Sequence, residues 1–157
     1  MSMCIKLKKY LDSKNVDYEI THHKVVYTAQ ELAECLHVPG KVMTKVVMIK
    51  AGEKDVMTVM PACRKVDVQR LKEIFKLDDV RIEKEEEFMN LFPECDVGAL
   101  PPLGNLYGLD VYMDSSLTDD EYILIQTGDN KEAVRIKYED FARLVNPKVY
   151  AFTLMAA

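Results

Sequence analysis

Two apolar runs flank a short polar segment in KVVMIKAGEKDVMTVMPA, residues 45–62 of the chain. The segment AGEKD contains a glycine and three charged residues, and such a segment between two apolar runs is typical of the turn of a β-hairpin. The pattern therefore predicts an antiparallel pair of strands. No apolar run in the chain approaches the roughly 20 residues that a membrane-spanning helix needs, so we expect no membrane partner.

Helical and strand-like segments follow one another along the rest of the chain without a regular β-α-β order. The spacing of apolar residues predicts helices over residues 4–15, 28–38, 65–77, 84–92 and 138–146. Further strands are predicted over residues 17–27, 80–83, 109–114, 121–127, 133–137 and 148–154. We therefore predict an α+β fold with a mixed, largely antiparallel β-sheet flanked by helices, as a single domain over residues 1–157.

The second predicted helix has sequence signals at both ends. Thr28 is placed to be its N-cap, with Glu31 three residues later as the capping-box partner. Pro39 and Gly40 are predicted to close the helix, because proline and glycine interrupt helical backbone.

Charge is unevenly distributed along this acidic chain, whose formal net charge is -5. Residues 41–76 contain nine Lys/Arg and four Asp/Glu, whereas residues 78–96 contain two Lys/Arg and eight Asp/Glu. A basic segment within an acidic protein suits contact with a few phosphates and not with a long duplex, so DNA is not an expected partner. An ordinary solvated surface explains the same pattern equally well.

The four cysteines, Cys4, Cys35, Cys63 and Cys95, are isolated, and no CxxC motif occurs. Metal sites need close pairs of ligands, so reduced thiols in a cytoplasmic protein are expected, without a metal. The first residues, MSMCIKLKKYLDSKN, have the pattern of a helix and lack the cleavage site of a signal peptide.

Several common catalytic motifs are absent from the sequence. There is no GxGxxG, HExxH or GxSxG, so no cofactor is expected. His22 and His23 are adjacent, and on a strand they would point to opposite faces, which argues against a shared metal site. His23 either enters a pocket or has a surface or capping role.

The segment GALPPLG, residues 98–104, is rigid and uncharged. Pro101 and Pro102 restrict the chain and lack an N–H, whereas Gly98, Ala99, Leu100 and Gly104 keep theirs. Amides on a stiff loop suit the binding of a carbonyl or a developing oxyanion. A tight crossover between two strands is an equally good interpretation of the loop, and Lys45 by itself is typical of a charge at the end of a strand.

In combination these segments resemble one family. HHKVVYTA at residues 22–29, TKVVMIK at residues 44–50 and VGALPPLG at residues 97–104 are similar to the YbaK family of aminoacyl-tRNA deacylases. That family is related to the editing domain inserted in bacterial prolyl-tRNA synthetases. The similarity extends, in order, through YTAQELAECL, MPACRKVDVQRLKEIF, VYMD and the C-terminal strands.

The resemblance implies a function and a site. The family hydrolyses the ester between a wrong amino acid and the terminal ribose of a tRNA, without a metal. Lys45 matches its functional lysine, and Gly98 and Pro102 match the ends of its Gly-x-x-x-Pro loop. We therefore expect Lys45 and Gly98 to be catalytic. The expected substrate-binding residues are Ala99, Leu100, Pro101, Pro102, Gly104, His23, Tyr27 and Thr28.

One position departs from the family pattern. Some members have an acidic residue near the third-last strand, where this chain has Ala133, with Asp129 and Glu132 as neighbouring acids. This leaves the side chain that the pocket accepts undetermined.

Two functions follow from the resemblance. The first is trans-editing, the hydrolysis of a mischarged aminoacyl-tRNA that carries a small amino acid. The alternative is a catalytically inactive module of the same fold that binds tRNA or a synthetase. The expected partners are the tRNA acceptor end and an aminoacyl-tRNA synthetase, and the sequence leaves the oligomeric state open.

Overall fold

The computed structural model describes residues 5–96 and 98–155 of the chain. Its helices are α1 (Ile5–Ser13), α2 (Ala29–Cys35), α3 (Val68–Phe75), α4 (Glu85–Phe88) and α5 (Tyr138–Val145). Its strands are β1 (Tyr18–His22), β2 (Thr44–Ala51), β3 (Lys54–Pro61), β4 (Arg64–Val66), β5 (Val80–Ile82), β6 (Asp110–Asp114), β7 (Tyr122–Gln126), β8 (Glu132–Lys137), β9 (Lys148–Tyr150) and β10 (Thr153–Met155). Short 3-10 helices span Met89–Leu91, Gly104–Tyr107 and Ser115–Leu117.

The described strands form one mixed sheet and two antiparallel ones. The mixed sheet has the order β5-β2-β3-β6-β9, with antiparallel pairing from β5 to β3 and parallel pairing from β3 to β9. The other two sheets are β1-β8-β7 and β10-β4. The predicted hairpin is β2-β3, which turns at Gly52 with a φ of 62°. The predicted α+β class with mixed, largely antiparallel pairing is confirmed, although the strands are divided over three sheets.

Several predicted element boundaries were wrong. The strand predicted over residues 17–27 ends at His22, and the helix predicted over residues 65–77 begins only at Val68, because Arg64–Val66 forms β4 and pairs with β10. Two further differences have local reasons. Helix α2 ends at Cys35, because His37 has a left-handed backbone with a φ of 56° before Pro39 and Gly40 are reached. Residues 148–154 do not form one strand but contribute to β9 and β10, which belong to different sheets. The chain bends between them at Phe152, whose N–H donates to Oδ1 of Asp114 over 2.9 Å and whose side chain is buried.

The three-stranded sheet is attached to the mixed sheet at the start of β2. Met43 forms an isolated parallel bridge with Leu124 of β7. The hydroxyl of Thr44 donates to the carbonyl oxygen of Leu124 over 2.8 Å, and the N–H of Leu124 donates to Val42 over 3.0 Å. Two residues beyond this bridge, β2 presents Lys45 and β7 presents Gln126 to the same cleft.

The largest cluster of buried apolar side chains joins α1 and α5 to the inner faces of both larger sheets. Its fully buried members include Leu7 and Leu11 of α1, Phe92, Ile123 and Phe141. No helix among the described residues is both long and apolar enough to cross a membrane.

Two neighbouring carboxyl groups, the buried Glu83 and the partly exposed Asp55, lie at the far end of the hairpin from the bridge. Glu83 is 6% exposed, and its N–H donates to the carbonyl oxygen of Met48 over 2.9 Å. Burial and the neighbouring carboxylate of Asp55 raise the pKa of Glu83 to about 7. Lys50, whose Nζ lies 3.2 Å from Oδ1 of Asp55, lowers this pKa in part, and the carboxylate of Glu87 raises it.

This raised pKa predicts a loss of stability on going from acid to neutral pH. The folded chain binds the proton of Glu83 more tightly than the unfolded chain, so the stabilising contribution is complete below the ordinary pKa of 4.5 and is lost as the pH rises through about 7. We expect the free energy of unfolding of Glu83→Gln, measured in urea between pH 5 and 8, to fall less with pH than that of the unmodified protein. Equal slopes for the two proteins would contradict the assignment.

Candidate functional site

A cleft of about 280 Å³ lies where β2 and β7 approach each other. The start of α2, helix α4 with the turn that follows it, and the Pro/Gly loop provide its other walls. The residues that line it are Tyr27, Thr28, Ala29, Lys45, Val46, Glu85, Phe88, Met89, Gly98, Leu100 and Gln126.

Gly98 lies against the segment that enters α2. Its φ is 76°, and a Cβ at this position would be 2.1 Å from the carbonyl oxygen of Tyr27. Real Cβ atoms do not approach backbone oxygens so closely, and a positive φ is unfavourable for residues with a side chain. Only glycine allows the loop to approach Tyr27 to this distance.

Hydrogen bonds fix the loop to the turn after β7. The N–H of Asp96 donates to the carbonyl oxygen of Gly128, and the N–H of Gly128 donates to that of Ala99, both over 2.7 Å. The N–H of Ala99 donates to the carbonyl oxygen of Asp96 over 3.2 Å. The amide of Ala99, expected from the sequence to be available to a ligand, is therefore already used within the loop.

Leu100 supplies an amide that is not used within the loop. Its N–H has no acceptor in the part of the chain that the structure describes, and Leu100 lines the cleft. An unpaired amide beside a cleft can donate to a ligand oxygen.

The rest of the loop is buried beneath the cleft. Pro101 and Pro102 are buried, and Ala99 is only 2% exposed. Gly104 starts a 3-10 helix, and a Cβ there would be 2.7 Å from the Val111 side chain and 3.1 Å from the Met57 sulfur. None of these four residues lines the cleft, so their observed contribution is to the packing that supports it.

The α2 entry contributes two of the expected residues. The side chain of Thr28 accepts from the N–H of Glu31 over 3.0 Å, which confirms the predicted N-cap. Tyr27 and Thr28 both line the cleft, and Tyr27 is exposed. His23 does not line the cleft; its Nδ1 lies 2.6 Å from the carbonyl oxygen of Lys24.

Lys45 is the second residue of β2 and is half-buried at the cleft. No carboxylate of the described residues lies within ion-pairing distance of its Nζ. Burial lowers the pKa of Lys45, and the neighbouring Cys63 offsets this in part. Within the described part of the chain, the Lys45 ammonium therefore has no carboxylate in ion-pairing contact, and it can be neutralised by an anionic ligand or a developing negative charge.

A family assignment agrees with this arrangement. The sequence model of the aminoacyl-tRNA editing domain matches residues 23–144, which is more than half of the chain. The chain belongs to the aminoacyl-tRNA editing domain family. No curated protein matches it.

Solved structures share the fold of this editing domain at low sequence identity. The hypothetical protein APE2540 superposes with a TM-score of 0.86 at 16% identity, over 95% of this chain and 99% of its own. A candidate trans-editing enzyme for prolyl-tRNA synthetase gives a TM-score of 0.82 at 15% identity, over 98% and 99%. A candidate signal transduction protein from Marinobacter aquaeolei VT8 gives 0.74 at 15% identity, over 98% of this chain and 31% of its own.

Several residues of the editing domain's cleft were not predicted from the sequence. Gln126 is 5% exposed at the end of β7. The sequence did contain a signal for it, because a glutamine that ends the apolar run YILI is a polar side chain where burial is expected. The apolar wall, formed by Val46, Phe88 and Met89, depends on how α4 packs over β2 and has no local signature.

The acidic residues considered near β8 do not line the cleft. Asp129 is 4% exposed, and its Oδ1 accepts from the N–H of Lys131 over 2.8 Å. Glu132 is 5% exposed, and its Oε1 lies 3.4 Å from Nδ1 of His22. Ala133 is fully buried in β8, opposite Gln126 of β7. The described residues contain no group of three His, Cys, Asp or Glu side chains that could hold a metal.

Proposed function

We propose that this editing domain is a hydrolase that cleaves the ester of a mischarged aminoacyl-tRNA carrying a small amino acid. The observation that supports the proposal best is one cleft lined by Lys45, Gly98 and Leu100, in a chain of the editing family. Under this proposal the aminoacyl ester lies in the cleft and the rest of the tRNA remains outside.

The reaction needs little from the protein because an ester is already activated. The oxygen of a water molecule bonds to the ester carbonyl carbon, the bond to the ribose oxygen breaks, and the free amino acid and the ribose hydroxyl are released. Negative charge develops on the carbonyl oxygen, where the Leu100 N–H and the Lys45 ammonium can stabilise it. A strong protein nucleophile is not required if the water and the ester are held in position.

The cleft suits a small amino acid by size and by chemistry. Its volume of about 280 Å³ is at the lower limit of typical ligand pockets, and Val46, Phe88 and Met89 give it an apolar wall. Glu85 is the carboxylate among its described lining residues, and a carboxylate suits the α-ammonium group of an aminoacyl ester.

The partner that follows from this function is the acceptor end of a tRNA. An aminoacyl-tRNA synthetase, as the source of the mischarged substrate, is the second proposed partner, and the cytoplasm is the proposed location. Residues 1–157 are proposed to act as one domain without a cofactor.

The proposal is tested with tRNAs charged separately with alanine, serine, cysteine, threonine and proline. We expect the purified protein to accelerate ester loss from one or two of these above the spontaneous rate. Absence of acceleration across the panel, with tRNA binding retained, would replace the hydrolase by a catalytically inactive tRNA-binding module.

A further inference from the structure

A second pocket, of about 440 Å³, lies beyond the C-terminal end of α2. Its floor is apolar and is formed by Leu36, Val38, Val42 and Leu124. Its polar rim includes Asp120, Tyr122 and Arg135, none of which lines the cleft around Lys45.

Asp120 lines this pocket and has an unpaired carboxylate oxygen. Its side chain is 5% exposed, and Oδ1 lies 3.6 Å from Nζ of Lys41. The other oxygen, Oδ2, is buried without a hydrogen-bond partner among the described residues. Burial raises the pKa of Asp120, and Lys41 opposes this in part. A buried acceptor without a donor is unfavourable, so a ligand that brings an N–H donor would be bound favourably.

Tyr122 and Arg135 form a flat surface beside this carboxylate. The guanidinium carbon of Arg135 lies 3.7 Å from the centroid of the Tyr122 ring, and both residues line the pocket. Guanidinium planes and aromatic rings are the surfaces on which single-stranded bases stack. A planar ligand ring with an attached amino group would satisfy both the flat surface and the Asp120 oxygen.

The pocket and the cleft lie on one face of the same strand. Side chains alternate along β7, so Tyr122, Leu124 and Gln126 point to the same side. Gln126 lines the cleft, and Tyr122, four residues earlier, lines the second pocket. At a rise of about 3.3 Å per residue, Tyr122 and Gln126 are roughly 13 Å apart along the strand.

We propose that this second pocket binds a cytosine base from the single-stranded end of the tRNA whose ester lies in the cleft. The inference rests on the proposed function for its choice of RNA. Asp120 would accept a hydrogen bond from the exocyclic amino group, as carboxylates do from cytosine. Lys41, whose side chain is 64% exposed and whose Nζ lies 3.6 Å from the Asp120 carboxylate, would face the phosphates.

Binding of short labelled RNAs tests this pocket without any deacylation. We expect fluorescence anisotropy to show that the trinucleotide CCA binds more tightly than UUA, because uracil lacks the amino group that Asp120 would accept. A discrimination of about 5-fold is expected, the lower end of what a bidentate base contact provides, because Asp120 would make a single hydrogen bond. Asp120→Asn should remove most of it, whereas Asp119→Asn, a change at the exposed neighbour, should not.

The outcomes separate the pocket from the proposed function. Equal binding of CCA and UUA by the unmodified protein, a comparison that needs no variant to fold, would overturn the pocket even if deacylation is observed. Preference for CCA that depends on Asp120, without deacylation of any charged tRNA, would retain the pocket and overturn the hydrolase. If free cytidine bound as tightly as CCA, the ligand would be a nucleoside and the RNA assignment would be overturned.

Discussion

Replacing Lys45 by methionine is expected to slow deacylation by about 10²-fold or more and to leave the protein folded. Methionine keeps much of the length and the apolar stem of lysine but removes the ammonium group. The expected loss is that of one electrostatic contact to the developing negative charge. It is measured as kcat for the charged tRNA that the unmodified protein hydrolyses best, after subtraction of spontaneous ester hydrolysis.

The stability of this variant has a definite expected sign. Burial lowers the pKa of Lys45, so the folded chain binds the proton less tightly than the unfolded chain. The resulting destabilisation is complete below the folded pKa and disappears as the pH rises through the ordinary value of 10.5. At pH 7 the free energy of unfolding of Lys45→Met should therefore equal or exceed that of the unmodified protein. A loss of activity at unchanged stability would separate catalysis from folding.

The matched control is Lys54→Met on the neighbouring strand β3. Lys54 is 75% exposed in its side chain and lies 3.4 Å from Oδ2 of Asp110, a surface ion pair of small expected effect. The Lys54→Met substitution removes the same positive charge from the same sheet, and Lys54 does not line the cleft. If both variants lost activity equally, the effect would arise from the overall charge of the protein, and Lys45 would have no specific role in the reaction.

The sequence predicted those parts of the fold that depend on local signals. The β2-β3 hairpin, the Thr28 N-cap and the helices α1, α3 and α5 are set by apolar spacing, capping residues and turns, which can be recognised without knowing their neighbours. The division into three sheets depends on contacts between distant residues. The bridge from Met43 to Leu124 and the hydrogen bond from Phe152 to Asp114 have no local signature.

The candidate site divides in the same way. Lys45, Gly98, Leu100, Tyr27 and Thr28 were predicted, and the structure brings them to one cleft. The remaining loop residues follow the same segment of chain but turn inward, because this loop must also pack against the sheet. The apolar wall contributed by Phe88 and Met89 could not be predicted, since it depends on how α4 and the turn after it pack over β2, and this packing has no local signature.

A comparison of Gly98→Ala with Gly108→Ala measures how much the close approach of the Pro/Gly loop to Tyr27 contributes to stability, separately from the cost of the left-handed backbone. The two glycines have nearly the same backbone, with φ values of 76° and 71°. A Cβ at Gly108 would meet nothing within 4 Å, whereas at Gly98 it would lie 2.1 Å from the carbonyl oxygen of Tyr27. Gly108→Ala is therefore expected to lower the free energy of unfolding by about 1–2 kcal/mol, the cost of left-handed backbone alone. Gly98→Ala should lower it further, because its loop must also move away from α2.

The same pair of variants tests whether the position of the loop matters for the reaction. Displacement of Gly98 would carry the Leu100 amide with it, and a misplacement of about 1 Å is enough to cost about 10²-fold in rate. We expect urea unfolding to show the larger loss for Gly98→Ala, and single-turnover deacylation to fall by about 10²-fold in that variant while Gly108→Ala stays near the unmodified rate. Equal unfolding free energies would mean that the loop does not contact Tyr27 in solution. A fast Gly98→Ala enzyme would remove the loop amides from the mechanism and leave Lys45 as its principal electrostatic group.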